Sequence, residues 1–273
     1  MNRALMNSRR LRLAGAAALL SAALSGTDAW AYRPFDFTDA DVAKRHNFEV
    51  EFGPAEFVNH GGDHTLHAPN LVLNYGIGAG FELVVEGTHA VSLNSGPGGP
   101  GSRLEDVGAS VKKVLRRGCL QDESGPSIAT EEALLLPASG DPHAGASASL
   151  IASSSARPGT AHLNAEVLRT PQGQNGVACG LILEQGEEYG VSPVVELSLA
   201  AEQGSPPERT VLLGIIAVPR ERLEYDLAFR FGQSEGQRLL EVRAGVTYQI
   251  SARRLAERAA EVLGHAPRRR HRH

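Results

Sequence analysis

Charged side chains recur at two-residue steps in the second half of this chain. Leu223 to Phe231 alternates so that Glu224, Asp226 and Arg230 share one parity and Leu, Tyr and Phe the other. Glu241 and Arg243 repeat the arrangement within 240–250, Glu196 alternates with Val195 and Leu197, and Glu82 and Glu86 stand four apart after Phe81. Successive side chains of a strand point to opposite faces, so each set shares a face. A ring of such faces around a lumen would line a water-filled pore, and an excess of acids there favours cations and neutral solutes over anions. On a soluble sheet the same rows would only solvate the outside.

Other constellations carry less. His60, Asp63, His64 and His67 have spacings compatible with a metal, but ligation needs three or four groups held in convergence, and the stretch reads as a solvated loop. Gly76-Ile77-Gly78-Ala79-Gly80 looks like a phosphate loop, yet a strand and not a helix follows it, so a glycine hairpin is the better reading. The common hydrolase, zinc-protease, dithiol and nucleotide-binding spacings do not occur. We therefore expect no cofactor, no metal and no catalytic residues. A membrane-embedded enzyme ranks third, its base to be drawn from Glu82, Glu132 or Glu196.

The elements that must position these residues are strands. Between residues 46 and 250 we count twelve alternating segments separated by Gly, Pro, Asn and Asp clusters, and helical periodicity is scarce before residue 252. Connections such as Gly78 to Gly80 and Pro219 to Glu221 are tight, whereas 58–66, 94–104 and 137–145 are longer and polar. Short turns at one end and longer loops at the other are the pattern of a transmembrane barrel, with 117–126 the long exception on the short-turn side. Two readings follow: an antiparallel up-and-down transmembrane β-barrel of about twelve strands, or a soluble periplasmic β-sandwich that binds a ligand or partner.

Arg3, Arg9, Arg10 and Arg12, then an apolar run over 13–24, then Ala29 and Ala31 three and one residues before a cut, read as a cleaved signal peptide over 1–31. A periplasmic segment, 32–45, then leads into the barrel, 46–250, and a basic tail, 251–273, which is a short helix or disordered. The 273 residues carry 27 Lys and Arg against 31 Asp and Glu, and the body from 32 to 251 holds 16 basic against 28 acidic residues, which argues against a nucleic-acid partner. Cys119 and Cys179 leave the choice between one disulfide and two thiols open.

Four stretches, in order, resemble the outer-membrane β-barrel family assigned to the MetA pathway of phenol degradation. They are Arg33-Pro34-Phe35 with Thr38-Asp39-Ala40, the first strand over 48–53, the Tyr75-Gly76 hairpin with Phe81 to Gly87, and Glu105-Asp106-Val107-Gly108 followed by Leu136-Pro137-Ala138-Ser139-Gly140-Asp141. The resemblance covers 32–145 and implies an outer-membrane protein of a Gram-negative bacterium, in contact with lipid, that passes small solutes, aromatic or hydrophobic ones among them, and has no catalytic residues. On this reading the lumen would be lined by Glu82, Glu86, Glu196, Glu224, Asp226, Arg230, Glu241 and Arg243.

Overall fold

The computed structural model describes residues 33–94, 101–138, 141–186, 190–220, 222–252 and 255; the expected leader over 1–31 and nearly all of the basic tail lie outside them. Twelve strands follow one another: β1 (Asn47–His60), β2 (Asp63–Gly78), β3 (Phe81–Ser92), β4 (Ser102–Arg116), β5 (Ser127–Leu135), β6 (Gly145–Ala156), β7 (Gly159–Arg169), β8 (Asn175–Gln185), β9 (Val191–Glu202), β10 (Glu208–Arg220), β11 (Leu223–Ser234) and β12 (Gln237–Ser251). Each pairs antiparallel with its neighbour in sequence, and β1 pairs with β12 from Asn47 opposite Ser251 to His60 opposite Leu239. The ladder closes without an edge. Pro54 and Pro69, which have no N–H to give a ladder, each fall at a register shift, between Phe52 and Ala55 and between His67 and Asn70.

Polarity is inverted relative to a soluble core. On β11 the outward Tyr225 and Phe229 are 50% and 49% exposed, whereas the inward Glu224 and Asp226 are 4% and 7% exposed. Leu163 and Val167 on β7 and Leu197 and Leu199 on β9 continue the exposed apolar surface. A wall that is apolar outside and charged inside suits lipid, where every backbone polar group must be satisfied within the protein. A sandwich would need two sheets with apolar faces turned together, and the closed ladder offers neither. No helix among the described residues is long and apolar enough to cross a membrane.

The stretch 58–66 corrects our expectation of a long loop. β1 runs to His60 and β2 starts at Asp63, joined by Gly61 and Gly62 at φ of 62° and 102°. Glycine supplies that backbone geometry, and the polar residues around it continue the strands instead of leaving them. The connection 117–126 is long because it does a different job from its neighbours. It holds a 3-10 turn, Cys119–Gln121, that folds against β5 and β6, and Leu120 packs on the small apolar cluster of Ala40, Ala129 and Ile151.

Candidate functional site: the barrel lumen

Residues 33–46 lie inside the wall and make almost a full circuit of it. Arg33 starts against β2, β11 and β12, donating to Asn70 Oδ1 at 3.2 Å and to the Ala244 carbonyl at 3.3 Å, with Asp226 3.4 Å from its Nε. The chain crosses to β9, where the Asp36 N–H donates to Glu196 at 3.0 Å, then to β7, where Asn164 donates to the Thr38 carbonyl at 2.8 Å. Ala40 N–H donates to Ser153 Oγ on β6 at 2.9 Å, and Gln121 donates to the Ala40 carbonyl at 3.0 Å. The return passes β3, where Ala43 N–H donates to Glu82, and His46 N–H donates to the Gly76 carbonyl on β2 at 2.8 Å before β1 begins.

The wall is cut to receive this segment. A Cβ on Gly180 would lie 2.1 Å from the Phe37 ring, and one on Gly76 would lie 2.2 Å from the Ala43 carbonyl oxygen. Both glycines sit in strand interiors, where such a residue often marks close approach of another backbone or group.

Asp36 is the electrostatic anchor. Its carboxylate lies 3.0 Å from Arg243 and 3.1 Å from Arg230, and Arg230 also reaches Glu208 at 2.6 Å and Glu241 at 3.3 Å. Arg243 donates to the Pro34 carbonyl at 2.8 Å and pairs with Glu241 as well. Burial pushes the Asp36 carboxyl up, but Arg243 and then Arg230 outweigh it and hold the group below the ordinary carboxylate range.

Above this belt is a cavity of about 820 Å³, with Phe35, Asp36, Phe37 and Thr38 among its lining. Its wall includes Glu86, Asp106, Glu131 and Glu166. Among the described residues, Glu86, Glu131 and Glu166 have no ion pair with Lys or Arg, although Glu131 accepts a hydrogen bond from Ser110. The cationic groups of the same cavity are engaged: Arg33 with Asp226, Lys112 with Asp39 at 3.3 Å, Arg103 with Glu105, and Arg230 and Arg243 as above. The free charge of the cavity is therefore negative.

All eight residues singled out for a lumen face inward. Glu82, Glu86, Arg230, Glu241 and Arg243 line the cavity, while Glu196 and Asp226 bind the inner segment. Glu224 is buried at the start of β11 and does not reach the cavity. Glu132, weighed as a base, sits on the outer face instead, because Glu131 takes the inward position of that pair. The histidine stretch lies on strands. His67 bridges Glu56 at 3.0 Å and Glu105 at 3.2 Å, and His64 stacks on Phe57. Both cysteines are free thiols. Glu131, Glu166, Lys112 and Asn164 are lumen residues that the sequence reading missed. The parity of His162, Asn164 and Glu166 on β7 would have exposed two of them.

A closed wall with an apolar exterior, a charged interior and residues 33–46 across the bore defines a transmembrane β-barrel. The chain resembles the outer-membrane channel COG4313 from Pseudomonas putida F1, at a TM-score of 0.60 and 8% identity over 79% of this chain and 100% of that one. It also resembles the NanC porin, at a TM-score of 0.55 and 6% identity over 74% of this chain and 100% of that one. At these identities the likeness is one of fold. No protein-family model matches the chain, and no curated protein is similar to it in sequence.

Proposed function

We propose that this protein is a narrow outer-membrane channel that passes small cationic or neutral solutes, with residues 33–46 forming its constriction. One observation carries the reading: the arginines are consumed in holding the inner segment, while Glu86, Glu131 and Glu166 stay without a basic partner on the cavity wall. An uncompensated carboxylate cluster raises the local concentration of cations and repels anions. Bore size agrees. Eight strands are filled by their own side chains and sixteen leave an aqueous channel, so twelve leave a restricted lumen that one extended segment can narrow.

A leader removed after Ala31 would export the chain, and the end carrying the entry to β1 would face the periplasm. Aromatic passengers are the finer reading; the resemblance of residues 32–145 supports it, and the Phe35 and Phe37 rings at the cavity give an apolar solute something to meet. No catalytic step belongs to this function. The test is a reversal potential across planar bilayers under a salt gradient. Cation preference that weakens in the triple variant E86Q/E131Q/E166Q is expected, and anion preference in the unaltered protein would overturn the reading.

A further inference from the structure

The outer face has two charges out of place, a carboxylate and a lysine. Between the strand ends, outward positions are almost all Leu, Val, Ile, Phe, Tyr or Ala, as the exposed residues of β7, β9 and β11 illustrate. Among the carboxylates on the described strands, Glu132 is the one turned outward inside this apolar belt. Its cross-strand neighbours are Val111 on β4 and Ala148 on β6, with Leu134 beyond it on its own strand. It has no hydrogen bond and no ion pair among the described residues.

A cation stands close but is turned away. Lys113 is outward on β4 opposite Thr130, one diagonal step from Glu132, yet its ammonium lies 5.1 Å from the centre of the Phe81 ring on β3. Two opposite charges thus sit on neighbouring strands of a lipid-facing surface without meeting. Holding a charge in lipid is costly, about 2–4 kcal/mol for Lys or Arg at mid-depth and less for an acid. The outward residues of β6 beside Glu132 are Ala146 and Ala148, with Leu150, 53% exposed, and Ala152 further along, so another wall could approach closely at the Ala146–Ala148 end.

We propose that the outer face of β4, β5 and β6 is the contact surface for a second copy of this chain, with Glu132 of each copy paired to Lys113 of the other. A two-fold axis along the membrane normal keeps both copies at one depth and makes the contact self-complementary, so two reciprocal ion pairs form together. Each removes one unpaired carboxylate and one lysine from lipid. The inference does not depend on what the lumen carries.

Cross-linking of the full mature chain in lipid vesicles tests it. Val111→Cys, on β4 opposite Glu132 and beside the two-fold axis that the reciprocal pairs require, should in a Cys179→Ser background give a disulfide-linked dimer, whereas the unaltered chain, whose exposed Cys179 lies on β8 away from this face, should stay unlinked. E132K should abolish the dimer band by setting like charges together, and E132K/K113E should restore it. Heat-dependent gel migration shows in each case that the barrel has closed, and if E132K fails that check, E132Q takes its place with loss of most of the linked band expected. An unlinked Val111→Cys chain, a band that persists in the closed charge variant, failure of the swap to restore it, or linkage through Cys179 would each overturn the proposal.

Discussion

Replacing Asp36 by Asn should loosen the constriction while leaving the barrel intact. The carboxylate lies between Arg243 at 3.0 Å and Arg230 at 3.1 Å, inside the wall. Removing one partner of a fully buried ion pair costs about 3–5 kcal/mol. The Asp36 side chain is a quarter exposed, and both arginines keep other acids, Glu241 and Glu208 for Arg230 and Glu241 for Arg243, so the cost falls below that range, to about 1.4 kcal/mol. At 1.36 kcal/mol per factor of ten, the ratio of displaced to seated segment should rise roughly tenfold. Single-channel recording reads this as the fraction of time spent in a larger conductance state. Heat-dependent migration should not change, because no strand pairing depends on Asp36. An open fraction within a few-fold of the unaltered protein would refute the view that this anchor holds the constriction.

Three further expectations share the same apparatus. Gly180→Val should push Phe37 off β8 and raise conductance in a barrel that still closes, since even a Cβ there stands 2.1 Å from the ring; an unchanged conductance would mean that the segment does not narrow the bore. Because the two arginines hold the Asp36 carboxyl low against the upward push of burial, its contribution is complete above about pH 4 and fades as pH falls through the lowered value. Large openings should therefore grow only in acid below about pH 4, and should be pH-insensitive in the Asp36→Asn variant. Finally, Glu224→Gln should leave ion preference unchanged, because that side chain lies away from the cavity whose carboxylates set it.

The strands were legible because lipid and lumen impose opposite polarities on alternate residues, so β11 and β12 announce their faces residue by residue. Parity failed where two acids adjoin: Glu131 and Glu132 look alike in sequence, and only the register with β4 and β6 places the first inside and the second outside. The 58–66 stretch misled because strand ends beyond the apolar belt carry polar residues on both faces and resemble a loop. The inner segment was invisible to periodicity, having none of its own. Its trace lay elsewhere, in glycines at 76, 180 and 245 inside otherwise regular strands, where a side chain would strike Ala43, Phe37 or Arg33.

The distances along the chain between the constriction and its partners have a consequence for how the barrel is made. Ala43 finds Glu82 after 39 residues, Ala40 finds Ser153 after 113, and Asp36 finds Arg243 after 207. The closure cost of such contacts rises with their span, and the last of them has no partner until β12 has been made. The stretch that precedes every strand is thus among the last to reach its place, a strap around which the wall is drawn shut.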